Sequence, residues 1–286
     1  MDPKTLISDQ PLSKSEFAEL IKPFKLEGKI AIAVSGGKDS MALVLLMKQW
    51  ARDHLSVDNI VALTVDHQLR TESKTEADTV RHWMMQEDLE HHILTWNHPA
   101  LKHDIQKKAR QARYQLLTDW CLKHQIETLM TGHHLHDQWE TIMMRLSKGS
   151  GLTGLCGIRN LIKGEFGQIV RPLLNIPPNR LLLTLETFKQ PFLNDPSNQN
   201  EIFERVRWRE SLNIFSRYGL TPEKIQKTLV QLQSAENFCN QQTEKALDDC
   251  FNKDEGLKLH QFKLLPSEIA GRVLKKLVLN AGKRPY

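Results

Sequence analysis

The amino-acid sequence predicts a doubly wound, parallel α/β sheet followed by a small all-α domain, and three observations carry that expectation. Lys29-Ile30-Ala31-Ile32-Ala33-Val34 ends in an apolar, partly β-branched run of strand length that passes through Ser35-Gly36-Gly37-Lys38-Asp39-Ser40 into a segment rich in helix formers. A second run of the buried type follows at residues 60–65, and strand, helix, strand at this spacing makes a right-handed parallel crossover. Beyond residue 213 the patterns are helical. An α/β domain at residues 24–213 and a helical domain at residues 214–286 follow.

Taken in order, residues 1–22 read as a polar leader with a short amphipathic patch at Phe17, Leu20 and Ile21. The strand at 60–65 ends at Asp66-His67-Gln68-Leu69-Arg70. Ligands of parallel sheets gather beyond the carboxyl ends of strands, where both Ser35 and Asp66 fall. A helix at 75–86, a strand at 92–96 and a helix at 104–124 come next, the last with Arg110 and Arg113 on one face. A short strand at 128–131 leads into Gly132-His133-His134-Leu135-His136-Asp137-Gln138-Trp139-Glu140-Thr141. The helical composition of 135–146 groups Asp137, Glu140 and Thr141 near its N-terminal end. Residues 151–167 suggest a loop-rich excursion, 168–172 a last strand, Pro177-Pro178 the start of a helix to about 189, and Asp195-Pro196-Ser197 a turn. Thr221-Pro222-Glu223 combines a cap, a fixed φ and an acid, opening a helix to about 250. Another opens at Pro266-Ser267 and carries Ile269, Val273, Leu274 and Leu277.

Composition narrows the function classes. No window of this 286-residue chain approaches the ~20 apolar residues that span a membrane, and Asp2, Asp9 and Glu16 stand where a signal peptide would be apolar, so a cytoplasmic protein is expected. Cys121, Cys156, Cys239 and Cys250 form no Cys-x-x-Cys pair and read as buried thiols. The net charge of +5 is unevenly spread: residues 145–209 hold ten Arg or Lys against five Asp or Glu, which accounts for the whole excess. A belt of this kind suits phosphate contacts.

The glycine turn carries the chemistry. Two adjacent glycines reach φ values closed to other residues, so successive N–H groups can converge on an anion at a helix N-terminus, and Ser35 and Ser40 add hydroxyls. The spacing fits neither a Walker loop nor the dinucleotide fingerprint. It resembles instead the Ser-Gly-Gly-x-Asp-Ser pyrophosphate loop (PP-loop) of the N-type ATP pyrophosphatases, adenine nucleotide alpha hydrolase-like proteins that adenylate a substrate oxygen and release pyrophosphate. His133, His134 and His136 lack the spacing that aims two imidazoles from one helical face. Mg2+ accompanying ATP needs only one or two carboxylates besides the phosphates.

Six further segments resemble, in order, the signatures of the tRNA(Ile)-lysidine synthase family. They are Val65-Asp66-His67-Gln68-Leu69-Arg70, Ala109-Arg110-Gln111-Ala112-Arg113-Tyr114, the Gly132 to Thr141 stretch, Gly149-Ser150-Gly151-Leu152-Thr153-Gly154-Leu155, Arg171-Pro172-Leu173-Leu174 and Asn194-Asp195-Pro196-Ser197-Asn198. Departures are Gln68, where a glycine is usual, and His136, where the family commonly has the first of two aspartates. The resemblance implies ATP-dependent ligation of L-lysine to C2 of cytidine 34 in tRNA(Ile) with a CAU anticodon, through an adenylated cytidine. Ser35, Gly36, Gly37, Lys38, Asp39 and Ser40 would hold the phosphates, with Asp39 as the magnesium ligand and Asp66 and His67 bordering the adenosine. His133, Asp137 and Glu140 would bind substrate, the two carboxylates gripping the cationic amino acid. Asp39, Arg113, Asp137 and Arg205 would be catalytic, and residues 214–286 would help position the tRNA. A homodimer stays open. A tRNA thiolase with the same loop is disfavoured by the lack of paired cysteines, and a glutaminase-coupled synthetase by Asp2. A nucleotide-binding regulator without turnover is the rival outside enzymology.

Overall fold

The computed structural model describes residues 9–99, 103–194, 204–252 and 256–281, with only the backbone at 204–206 and 280. The chain divides into two compact units. Unit one holds residues up to 144 and 157–226, and unit two holds 145–156 and the chain from 227 onward.

Unit one is built on a six-stranded sheet. The chain lays down β1 (Ile30–Ala33), α2 (Lys38–His54), β2 (Ile60–Asp66), α3 (Ser73–Gln86), β3 (Glu90–Thr95), α4 (Ile105–Lys123), β4 (Thr128–Thr131) and α5 (Leu135–Ser147). Next come β5 (Leu161–Gly164), β6 (Gly167–Val170), α7 (Pro178–Phe188) and α8 (Glu204–Arg217). The strand order is β3-β2-β1-β4-β6-β5, parallel except for the β5–β6 hairpin. Starting at β1, the chain builds outward to β3 and then returns to the other side of β1, so winding reverses between β1 and β4. That reversal opens a crevice at their carboxyl ends, where such sheets take ligands.

Alternation along each strand explains the two covered faces. Ile30, Ile32, Ile60, Ala62, Met130 and Val170 point to one face, with Val80 and Met84 of α3, Leu181 and Leu185 of α7 and most of the apolar side of α2. Ala31, Val61, Leu63 and Leu129 point to the other, against Leu117 and Cys121 of α4. The sheet is therefore doubly wound, as its buried strands predict. Truncating a fully buried strand residue such as Ile32 to alanine should cost ~2–5 kcal/mol by leaving a cavity.

Two stretches differ from the sequence expectation. The polar leader contains α1 (Lys14–Ile21), capped reciprocally by Ser13 and Glu16. Buried Arg180 pairs with Glu16 at 2.9 Å and donates to the Gln10 carbonyl at 2.9 Å, strapping this segment to α7. Charge satisfied across 164 residues leaves no local pattern to read. Within the excursion at 151–167 lie a one-turn helix α6 (Leu152–Leu155) and strand β5. β5 is short and mostly exposed, so it lacks the apolar run that marks an interior strand.

The expected division at 213/214 lies inside α8, whereas the compact units part at 226/227, within α9 (Pro222–Cys250). α8 packs on α5 within unit one: Trp139 Nε1 donates to the Trp208 carbonyl at 3.1 Å, and Phe215 meets Trp139 edge-on. In unit two, α11 (Ser267–Ala281) contributes Ile269 and Val273 to a core with Ala246 of α9, while Leu274 is exposed. Arg272 ties α11 to α9 through Glu236 at 2.8 Å.

Candidate active site

Beyond β1, Gly36 takes φ +83° and the turn becomes the first turn of α2. A Cβ on Gly36 would also stand 2.6 Å from Leu193 Cδ1 and 2.7 Å from Val80 Cγ2. The Ser35 amide donates to Ser40 Oγ at 3.1 Å, and Ser40 Oγ donates to the Gly37 carbonyl at 3.0 Å. Leu193 N donates to the Gly36 carbonyl at 2.8 Å. Behind the loop, Thr64 Oγ1 donates to the Val34 carbonyl at 2.7 Å and lies 2.8 Å from His91 Nε2. Burial, with the charges of Arg81 and His92, lowers His91 to about 4 and keeps it neutral. No side chain caps α2, so its first amides remain available to an anion.

Asp39 lies in that first turn. Its Oδ1 is 2.5 Å from Lys38 Nζ and its Oδ2 is 3.4 Å from His134 Nε2. Burial raises its pKa, but His134 and then Lys38 outweigh burial and hold the carboxyl at about 2. His134 comes from the end of β4, brought close because Gly132 has no side chain. A Cβ there would stand 2.9 Å from the Asp39 carbonyl oxygen and 3.0 Å from Ser40 N.

His134 is buried and faces a carboxylate on each side, with Nδ1 lying 3.6 Å from Asp137 Oδ2. Its amide donates to the same Asp137 oxygen at 2.8 Å, and the His136 amide lies 3.2 Å from its Nδ1. Burial pushes the imidazole down, yet Asp137 and Asp39 together raise its pKa. Asp137 stays ionised, lowered by His134 and His133 against burial. His136, which replaces an acid of the family pattern, is neutral: burial and the His134 charge bring it to about 4. His133 is lowered to about 3, chiefly by burial, and its Nδ1 lies 2.8 Å from Thr131 Oγ1.

The flanking strand ends supply further groups. Asp66, buried at the end of β2, accepts the Gln68 amide on Oδ1 at 3.0 Å. Gln68 sits at φ +51°, which is why a glycine suits this position. His67 is lowered to about 4, by burial first and then by Arg113, and its buried Nδ1 meets no partner among the described residues. Arg113 and Arg110 lie over the Tyr114 ring, 5.6 and 5.1 Å from its centroid. Arg171, buried beyond β6, reaches the Tyr114 hydroxyl at 3.5 Å. The charges of all three arginines depress His133.

The fold thus gathers Ser35 to Ser40, Asp66, His67, His133 and Asp137 at the carboxyl ends of neighbouring strands, with Arg113 of α4 near enough for its charge to depress His67 and His133. Glu140, three residues after Asp137 on α5, meets Arg209: its Oε1 is 2.6 Å from Nη2 and 2.8 Å from Nε. The side chain of Arg205 and residues 195–198 of the Asn194 to Asn198 motif lie outside the described residues. Sequence reasoning gave His134 no role of its own and counted Arg171 and Arg209 only among the charges of the belt at 145–209. Position three before Asp137, where a side chain or amide meets a first-turn acid, was the signal for His134.

A mostly parallel sheet with this loop at its switch point defines the PP-loop class, and the PP-loop domain family matches residues 10–214. The U34-tRNA thiolase NcsA of Methanococcus maripaludis has the same fold, with a TM-score of 0.65 at 19% identity over 77% of this chain and 76% of that one. The tRNA(Ile)-lysidine synthase of Rhodopseudomonas palustris is 32% identical over 278 residues, 96% of this chain and 80% of that protein. This chain belongs to the tRNA(Ile)-lysidine synthase family. Its counterpart in Wolbachia pipientis wMel is 35% identical over 90% of this chain, which spans 61% of that protein's length. Among the described residues no helix is long and apolar enough to cross a membrane.

Proposed function

We propose that this protein is a cytoplasmic tRNA(Ile)-lysidine synthetase. In the first step the C2 oxygen of cytidine 34 attacks the α-phosphorus of ATP, the bond to the β-phosphate breaks, and pyrophosphate leaves. In the second, the side-chain amine of L-lysine attacks C2, the C2–O bond breaks, and AMP departs with the oxygen. The amine proton passes to a base, a role assigned to ionised Asp137. Ser35, Gly36, Gly37, Lys38 and Ser40 hold the departing pyrophosphate through amides, hydroxyls and one ammonium. Asp66 and His67 border the adenosine. Arg113 and Arg205 stabilise negative charge as it shifts between phosphate and base. His133, neutral, and the acids Asp137 and Glu140 bind the amino acid and the base.

Asp39 is suited to Mg2+: it is one carboxylate held ionised in the first turn of α2, and this cation takes its other ligands from phosphates and water. Bound there, the ion would neutralise phosphate charge. The belt at 145–209 and the helices after 214 would grip the tRNA body through phosphates.

What supports this reading most is the bridge from Asp39 through His134 to Asp137, which ties the phosphate loop to the acid side of the crevice. Pyrophosphate release with isoleucine tRNA transcripts tests it. Release should require the CAU anticodon, and modified tRNA should accumulate only when lysine is added. Release with uridine-34 transcripts as the better substrate would move the protein to another RNA chemistry.

A further inference from the structure

Glu140 carries a buried carboxylate, and Arg209 is one partner that meets it. The Glu140 side chain is 1% exposed, whereas that of Arg209 is 41% exposed. Arg209 therefore arrives from the solvent side, setting two of its nitrogens on one oxygen of an acid that lies inside. A carboxylate taken out of water needs a cation or several donors beside it, because leaving its charge uncompensated is strongly destabilising. Lysine carries the same charge and reaches it from solvent, as Arg209 does.

We propose that Arg209 is an internal substitute for the cationic substrate: it neutralises Glu140 in the free protein and must be displaced before the lysine ammonium binds. This rests on the reading of Glu140 as part of the lysine site. The arrangement makes selection an exchange of one cation for another. A neutral amino acid of similar length offers nothing for the buried charge, so it cannot displace Arg209. Helix α8 carries Arg209 and is anchored to α5 by the Trp139 to Trp208 bond one position away. The guanidinium is thus held ready to return when product leaves. Only the fraction of molecules with Arg209 withdrawn binds lysine, so the apparent affinity is reduced by that fraction.

The test is steady-state pyrophosphate release by the full chain with CAU transcript, varying lysine at saturating ATP. Arg209→Gln keeps a hydrogen-bonding side chain but loses the charge. Its KM for lysine should fall about tenfold, equivalent to roughly 1.4 kcal/mol, while its KM for ATP does not fall with it. Arg209→Lys keeps the charge without the two-nitrogen grip and should fall about threefold, which covers the case in which the glutamine variant does not fold. Glu140→Gln should raise the KM for lysine. An unchanged or raised lysine KM in the Arg209 variants, with Glu140→Gln still impaired, would overturn the substitution while leaving the lysine site intact. Unaltered lysine dependence in Glu140→Gln would remove Glu140 from the lysine site and the proposal with it.

Discussion

The two chain segments that meet at the switch point are built on different physics. The loop from Ser35 to Ser40 is held by neutral groups: the Ser35 amide, the Ser40 hydroxyl, the Gly37 carbonyl and the Leu193 amide, with Thr64 behind. From β4 into α5, the turn is held largely by charge, with one buried imidazole between two carboxylates. Hydrogen-bonded glycine turns are intolerant of added atoms and indifferent to pH, whereas a buried ion cluster tolerates isosteric change but follows protonation. Asp39 belongs to both.

For that reason its loss should be the most damaging. Asp39→Ala removes a stabiliser of the phosphates and one wall of the His134 cage, and kcat should fall about a hundredfold, ~3 kcal/mol, with tRNA affinity nearly unchanged. Single-turnover kinetics beside a filter-binding assay separates the two. Next comes sterics alone: Gly132→Ala pushes a methyl against the Asp39 carbonyl and Ser40 amide, displacing the loop. Activity should fall roughly tenfold at every pH, because misplacement of reacting groups by a fraction of an ångström is costly. A drop confined to one pH range would show that the loop depends on charge after all.

Charge at the other segment should appear in stability rather than in packing. His134 has a raised pKa, so its contribution is fully present below its ordinary value of 6.5 and is lost as pH rises through the folded value. Asp39 works in the opposite sense, its contribution present above its ordinary 3.8 and lost as pH falls towards about 2. Chemical denaturation of His134→Gln across pH should therefore lose the alkaline-side slope and keep the acid-side one in weakened form. The smallest effect belongs to Gln68, whose left-handed backbone glycine adopts without strain. Gln68→Gly should stabilise by about 0.5–1 kcal/mol, the strain relieved being partly offset by the entropy glycine loses on folding.

How much of this was legible in the sequence follows the same division. Strand alternation at Ile30 to Ile32 and Ile60 to Leu63, the glycines and the helix starts are local signals, and with them came the sheet, its handed crossovers and the phosphate loop. Departures from the family pattern were readable too: Gln68 stood where a glycine is usual, and the backbone there is left-handed, while His136 stood in place of an acid. What stayed hidden depends on partners distant in the chain. Nothing near Glu140 says that Arg209, 69 residues on, will cover it. Likewise Arg171 reaches Tyr114 across 57 residues, and Arg180 reaches Glu16 across 164. Acids and bases three apart on a helix can be paired from sequence; acids and bases on different elements cannot until the sheet order is known.

The most direct measurement of the central claim is incorporation of labelled lysine into tRNA(Ile) transcripts, followed by digestion and mass analysis of nucleoside 34. With ATP present, cytidine 34 should gain one lysine less one water, in a one-to-one ratio to AMP formed. Asp39→Ala should give almost none, and a transcript with uridine at position 34 should give none. Lysine attached elsewhere in the RNA, or pyrophosphate released steadily with cytidine 34 recovered unmodified, would contradict the account.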